Sequence, residues 1–270
     1  MDGNPRLGHF PVSPHDLPHL LRGAVASARA AGEAILGYYR NGVTVREKAD
    51  ESPVTEADVA AETIILRDLA ILTPGVPVVS EEASERGGIP PHPGAHFWLV
   101  DPLDGTREFI KRNDEFTVNI ALIDHGRPVL GVVYAPALGE LYAGTVPGGA
   151  TLQTGTGPAH RISARQPLEG GVVVVASRSH MDEATRRYLA TLTVKSEHRV
   201  GSSLKFGVVA AGRADIYPRF GTTMEWDTAA GHAVLLAAGG SVTTLDHADL
   251  HYGKPGFRNP NFVARGRWKA

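Results

Sequence analysis

The sequence predicts a layered α/β fold on three observations. Apolar and small residues recur at helical spacing over a long first segment. Three apolar runs of strand length, parted by turn residues, follow in the middle. Strand-like and helix-like segments then alternate through the second half. At 270 residues the chain is long enough for one large domain or two modest ones around a sizeable core. Its formal net charge of −2 offers no basic surplus to displace counterions, which argues against a nucleic-acid polymer as partner. The absence of cysteine excludes disulfides, thiolate metal sites and a thiol nucleophile, and fits a reducing compartment. No apolar run reaches the length of a membrane span, and the first residues lack a secretory core, so a cytoplasmic setting is expected.

Residues 1–15 are rich in proline and glycine and predict a loose tail. From Leu17 the spacing of Leu20, Leu21, Ala24, Val25, Ala28, Ala31, Ile35, Leu36 and Tyr39 marks one face of a long helix. Asp16 is its expected cap, Pro18 falls in its first turn, and Asn41-Gly42 ends it. Val43 to Pro53 is charged and reads as a solvated loop or hairpin. A second helix starts at Thr55, with Asp58 three residues on as in a capping box, and Ile64, Ile65, Leu69 and Leu72 along its face. Pro77 to Ser80 predicts a short strand ending in Glu81-Glu82. Glu82 and Glu85 read as surface charges. His92 and His96 sit in a Pro/Gly loop without metal-ligand spacing, and no ligand role is assigned to them.

Phe97 to Val100 predicts a buried strand that stops at Asp101, where Pro102 turns the chain. Strands over Thr117–Ile123, Val129–Tyr134 and Leu141–Thr145 predict an antiparallel meander. Pro147 to Pro158, dominated by Gly, Thr and Pro, is the expected boundary between an N-terminal subdomain (16–147) and a C-terminal one (158–270). Beyond it, strands are expected at Val172–Ala176, His198–Val200 and Ala214–Tyr217, and a last one near Val242. Helices are expected at Asp182–Leu192, Ser203–Ala211 and Asp227–Ala238; His232, inside the third, reads as a packed or hydrogen-bonded histidine.

The chemistry concentrates in Asp101-Pro102-Leu103-Asp104-Gly105-Thr106. Taken alone these residues make an ordinary surface turn. They also place two carboxylates and the Leu103 carbonyl around one hard cation, a glycine that lets an anion approach the backbone, and a hydroxyl that can orient water. Asp58, Glu81, Asp101, Asp104 and Asp227 all end predicted strands or open predicted helices, the edge at which α/β folds bind ligands. If four such acids meet, each like-charged pair at about 4 Å costs on the order of 4 kcal/mol at an effective dielectric near 20. Divalent cations must then neutralise them, and an all-oxygen donor set points to Mg²⁺ or Mn²⁺ rather than zinc. Two such cations are a common clamp for hydrolysing a phosphate ester by in-line attack of water. Gly201-Ser202-Ser203 is not a nucleophile elbow, because Lys205 stands where that motif has glycine.

Val54-Thr55-x-x-Asp58, Ser80-Glu81-Glu82, Asp101 to Thr106 and Trp226-Asp227-x-x-Ala230-Gly231 resemble, in order, the motifs of the inositol monophosphatase superfamily of metal-dependent phosphatases. Asp101 to Ile110, Phe116 to Ala121, Ser177 to His180 and Gly201 to Phe206 look like its CysQ-type 3′(2′),5′-bisphosphate nucleotidase branch. The resemblance implies a layered αβαβα sandwich, and hydrolysis of the 3′-phosphate of 3′-phosphoadenosine 5′-phosphate or its sulfated relative. Glu81, Asp101 and Asp104, with the Leu103 carbonyl, would hold the first of two or three Mg²⁺ ions, and Asp227 would share the second. Mn²⁺ would substitute. Asp58 paired with Thr106 would activate the water, and Glu81 would assist in catalysis as a ligand. Gly105 and Thr106 would cradle the scissile phosphate, with Asp227 beside the substrate. Ser202, Lys205 and Arg219 would bind the other phosphate, and His180 would lie near the nucleoside. The loop around Lys48 and Asp50 corresponds to a flap. Inositol phosphatases usually carry an acid several residues before the Trp-Asp pair. Here the stretch is Tyr217 to Gly221, and a cation at Arg219 suits a second phosphate better than a sugar hydroxyl. Inositol monophosphatase or fructose-1,6-bisphosphatase activity, and phosphate-ligand binding without turnover, are the alternatives. A homodimer is compatible with the sequence.

Overall fold

The computed structural model describes residues 13, 15–42, 45–47, 53–88, 93–177 and 183–268. Helix α1 (Leu17–Asn41) precedes a hairpin of β1 (Val45–Glu47) and β2 (Pro53–Thr55), then helix α2 (Glu56–Leu72). Strand β3 (Val78–Ser80) runs into α3 (Glu81–Glu85), and β4 (His96–Asp104) into α4 (Thr106–Ile110). The meander β5 (Thr117–Asp124), β6 (Arg127–Ala135), β7 (Glu140–Thr145), β8 (Gly149–Thr154) and β9 (His160–Ile162) completes a seven-stranded sheet. Only β3 and β4 are parallel in it; every later neighbour is antiparallel. The second sheet takes β10 (Val172–Ser177), helix α5 (Glu183–Leu189), β11 (Val194–Val200), α6 (Leu204–Ala210), β12 (Ile216–Arg219), α7 (Glu225–Ala237), β13 (Ser241–Thr244) and β14 (Phe262–Arg265) in chain order. Its strands lie in the order β11-β10-β12-β14-β13.

Burial along β4 explains the layers. Trp98 and Val100 point to one face, where they pack with the apolar stripes of α1 and α2. Phe97 and Leu99 point to the other, against α6 and α7. A strand covered on both faces needs a continuous apolar run, which Phe97 to Val100 provides. Helices α6 and α7 lie between the sheets, since Val173, Val175, Tyr217 and Phe262 of the second sheet join the same cluster. Its far face (Val172, Val174, Ile216, Val263) packs against Tyr188 and Leu189 of α5. The order is therefore helices, sheet, helices, sheet, helix, the αβαβα sandwich that the family resemblance implies. Small residues let the middle layer come close to the first sheet. A Cβ at Gly131 of β6 would stand 2.2 Å from the Ala230 carbonyl oxygen of α7, so only glycine permits that approach.

Local signals set the helix ends. Thr55 Oγ1 accepts from Ala57 N (3.2 Å) while Asp58 Oδ2 accepts from Thr55 N (2.7 Å), the capping box expected for α2. Gly42 at φ 88° terminates α1. Asp16 does not cap α1 with its side chain. Its backbone is already helical, and its carbonyl accepts from His19 N and Leu20 N instead.

Four further expectations are corrected. Strand β4 does not stop at Asp101 but continues through Pro102 to Asp104. Asp101 pairs with Asn119 and Asp104 with Thr117, so one extra residue bulges out, and a bulge tolerates a proline without an N–H. The stretch 147–158 is not a linker, because Gly149–Thr154 forms β8 against β7; its threonines suit a strand, and its glycines hid the alternation. Val242 lies in β13 but not in the last strand, since β14 follows and inserts between β12 and β13. Glu82 is 4% exposed and not a surface charge. Among the described residues no helix is long and apolar enough to cross a membrane.

His232 sits in α7 as expected, buried, with Nδ1 2.9 Å from the Tyr252 hydroxyl oxygen. Burial, then the nearby His251 and Lys254 charges, hold its pKa down to about 3. An unfolded histidine titrates near 6.5, so the unfolded chain gains a proton that the fold refuses, and stability falls as pH drops from 6.5 toward 3. His232→Gln, which keeps a hydrogen-bonding side chain, is expected to lose about 2 kcal/mol less than wild type between pH 7 and pH 5. Urea unfolding at the two pH values measures it, and equal losses would show that another group controls acid sensitivity.

Candidate active site

The parallel pairing of β3 and β4 places the ends of both strands at one edge, and there a pocket of about 310 Å³ opens. Glu81 follows β3, and Asp101, Leu103 and Asp104 end β4. Gly105 and Thr106 open α4, Ser202 and Lys205 come from the entry to α6, Arg219 ends β12, and Asp227 lies in the first turn of α7. All of these line the pocket. Asp58 stands behind its wall, and the Thr106 hydroxyl is placed to donate to Asp58 Oδ1 at 3.3 Å or to the Leu103 carbonyl at 3.4 Å. Asp58 Oδ2 is meanwhile fixed by Thr55 N at 2.7 Å and Thr55 Oγ1 at 2.6 Å. The helix-start role and the link to Thr106 thus belong to the same carboxylate. His180, Lys48 and Asp50 lie outside the described residues.

The acids hold one another in check. Burial foremost, then the Asp104 and Glu81 charges, push the Asp227 carboxyl well above the usual carboxylate range; the Met224 amide and Arg219 pull back. Asp104 is also raised, again mainly by burial, against the Lys205 ammonium and the Ser203 amide. Asp227 Oδ2 accepts from Met224 N (2.8 Å), Asp101 Oδ1 from Leu103 N (3.1 Å) and Asp104 Oδ2 from Ser203 N. Each carboxylate keeps a second oxygen that these amide bonds do not use. Among the described residues, the trio whose ligand atoms all lie within 4.8 Å of one another is elsewhere: His96, Asp124 and His125. In donor chemistry the pocket fits a hard divalent cation, because its acids and the Leu103 carbonyl offer oxygen alone, and no histidine or cysteine lines it.

Lys205 and Arg219 line the pocket, as does Arg107. Lys205 is 4% exposed, donates to the Val200 carbonyl at 3.2 Å and to that of Ser202, and has its pKa lowered to about 8, chiefly by burial. Arg219 donates from Nη2 to the Thr222 carbonyl at 3.3 Å, while its buried Nε has no hydrogen-bond partner. Ser202 has φ 45°, a left-handed backbone that serine adopts at a cost. Gly105 has φ 91°, and a Cβ there would come within 3.3 Å of the Ser202 Cβ.

Sequence reasoning missed the support beneath Asp104. Ser203 Oγ donates to Asn119 Oδ1 at 2.7 Å and lies 2.8 Å from Thr117 Oγ1. Asn119 Nδ2 and Thr117 Oγ1 are both 3.5 Å from Asp104 Oδ2. Thr117 and Asn119 are fully buried polar residues in an otherwise apolar strand. That anomaly was the available signal.

Because its pKa is raised in the fold, Asp227 stabilises the metal-free protein only below the carboxylate range and less as pH rises through its folded pKa. Asp227→Asn keeps an oxygen for Met224 N and removes the charge. In EDTA it is expected to melt a few degrees above wild type at pH 8, with a smaller difference at pH 4.5. A lower melting temperature at pH 8 would show that the carboxylate charge itself holds the fold.

Three comparisons bear on this arrangement. The sequence matches the inositol monophosphatase family over residues 16–269. The 3′(2′),5′-bisphosphate nucleotidase CysQ of Escherichia coli (strain K12) is 50% identical over 241 residues, covering 87% of this chain and 95% of that protein. The crystal structure of CysQ from Bacteroides thetaiotaomicron superposes with a TM-score of 0.78 at 38% identity, covering 93% of this chain and 98% of that one. The inositol monophosphatase of Anabaena (Nostoc) sp. PCC 7120 gives 0.72 at 28% identity, covering 93% and 91%. With the match running through nearly every element described above, the chain belongs to the inositol monophosphatase family.

Proposed function

We propose that this protein hydrolyses the 3′-phosphate of 3′-phosphoadenosine 5′-phosphate, or of its sulfated relative, by in-line attack of water. The observation that carries the reading is one pocket whose lining gathers Glu81, Asp101, Asp104 and Asp227 with Lys205 and Arg219, and also includes Arg107 and Glu108. The first four acids suit divalent cations, and Lys205 and Arg219 suit a second phosphate. The relative from E. coli, half identical over almost its whole length, is a 3′(2′),5′-bisphosphate nucleotidase. Dependence on a divalent metal comes with the family. We take the ion to be Mg²⁺, two or three per site, with Mn²⁺ as a substitute, held by Glu81, Asp101, Asp104, Asp227 and the Leu103 carbonyl. When bound, these ions supply the Lewis acidity that offsets both the carboxylates and the phosphoryl oxygens.

The chain's own residues do the rest. Donation from the Thr106 hydroxyl to Asp58 Oδ1, 3.3 Å away, leaves a Thr106 lone pair to accept a hydrogen bond from the attacking water. The Thr55 amide and hydroxyl fix Asp58, so the proton acceptor is aligned before substrate arrives. Gly105, lacking a side chain, admits the scissile phosphate to the backbone. Ser202, Lys205 and Arg219, which line the pocket, hold the 5′-phosphate.

Phosphate release in Mg²⁺ is expected to be fastest with 3′-phosphoadenosine 5′-phosphate among that nucleotide, inositol 1-phosphate and fructose 1,6-bisphosphate. Thr106→Ala is expected to lower kcat by about 10²–10⁴-fold with little change in melting temperature. A preference for inositol 1-phosphate would overturn the substrate assignment. Turnover no greater than that of Thr106→Ala would leave a phosphate-binding protein without catalysis.

Arg219→Ala is expected to raise KM for the bisphosphate by about tenfold or more, which corresponds to about 1.4 kcal/mol. KM for adenosine 3′-monophosphate should change little. Equal effects on both substrates would remove Arg219 from the second-phosphate site.

A further inference from the structure

His96 opens β4 directly opposite Asp124, the last residue of β5. The next two residues, His125 and Gly126, turn the chain into β6 with φ of 48° and 76°, the two left-handed positions of a type I′ hairpin. The His125 N–H donates to the Ala95 carbonyl at 2.8 Å and ties this turn to the start of β4. The result is a constellation that chain order does not suggest. Asp124 Oδ1 lies 2.9 Å from His96 Nε2 and 2.6 Å from His125 Nδ1, and the two imidazoles meet edge to face at 5.1 Å. One ligand atom from each of the three residues falls within 4.8 Å of the other two.

We infer that His96, Asp124 and His125 form a second metal site, separate from the acidic pocket, that takes a borderline transition ion of the Zn²⁺ class. The donor set decides the class. Two imidazole nitrogens and one carboxylate oxygen suit Zn²⁺, whereas the pocket's all-oxygen set suits Mg²⁺. The geometry is close to what the ion needs. Donors at about 2.1 Å around a tetrahedral centre stand roughly 3.4 Å apart, so Asp124 has to part from each imidazole by less than about 1 Å. His96 and Asp124 are mostly covered, at 12% and 31% side-chain exposure, and sit on paired strands, which preorganises two of the three ligands. His125, 70% exposed, faces solvent and leaves a fourth position to water. A third imidazole flanks the turn: a Cβ at Gly126 would be 3.6 Å from His251 Nδ1, and Tyr252 N donates to the Gly126 carbonyl. From His96 to Asp104 the strand runs about 25 Å, so the ion clips the far end of β4 to the β5–β6 hairpin and takes no part in hydrolysis.

The test is calorimetric titration of ZnCl₂ into the tag-free full chain, stripped with EDTA and then held in excess Mg²⁺. One Zn²⁺ per chain is expected to bind with micromolar or tighter affinity and to raise the melting temperature. His125→Ala, at an exposed position that threatens the fold least, is expected to weaken binding at least about tenfold and to abolish the thermal shift. Mg²⁺-dependent phosphate release should stay at the wild-type level. Replacing Zn²⁺ by Co²⁺ should give visible absorption of the intensity expected for a tetrahedral site in the wild type, and not in His125→Ala. No binding under these conditions would overturn the site. So would the same isotherm in His125→Ala, or binding that disappears in Asp227→Asn but survives in His125→Ala. None of these results would bear on the hydrolytic reading, which rests on the other end of the strand.

Discussion

The desolvation of carboxylates gathered in one pocket, with the repulsion it brings, is the constraint around which the rest of the molecule is arranged. Asp104 and Asp227 are both pushed toward the protonated form by burial, and Asp227 also by Asp104 and Glu81. A cluster of that kind is tolerated only where backbone amides answer part of each charge and something positive answers the remainder. The fold supplies the amides of Leu103, Ser203 and Met224, one to each of three acids, and brings Lys205 close to Asp104. A divalent cation in the same place would reverse the sign of the problem. The strain of the metal-free state and the affinity for metal then have one origin.

The five layers put those partners in reach. Glu81, Asp101 and Asp104 come from the first sheet, while Ser202, Lys205, Arg219 and Asp227 come from the helices and strands beyond it. The middle helices must therefore lie close to both sheets, and their small residues with Gly131 make that spacing attainable. Asp227 and His232 occupy the same helix, α7. One turns to the pocket and the other is sealed in the core against Tyr252.

Much of this was legible in the sequence because its determinants are local. The face of α1, the capping box at Thr55 and Asp58, and the run from Phe97 to Thr106 all lie within one element or one turn. So do Trp226 and Asp227. What escaped depends on partners distant in the chain or on a misleading composition. Strand β8 was hidden by glycine and threonine, and β14 is defined by partners that precede it by eighteen residues or more. Ser203, Thr117 and Asn119 matter through contacts spanning more than eighty residues. His96 was set aside for lack of ligand spacing, yet cross-strand register sets it against Asp124.

The irregularity at Pro102 has a consequence for how the acids meet. Side chains of a regular strand alternate, so positions three apart face opposite ways, and Asp101 and Asp104 would then be divided between the two sides of the sheet. Their partners Asn119 and Thr117, two apart on an unbroken strand, share a side. The surplus residue shifts the phase of β4 by one, which sends Leu103 into the outer helices and turns both aspartates toward the same cavity. A fault in the pleat, and not an added loop or domain, is what brings two carboxylates of an ordinary core strand to one cavity.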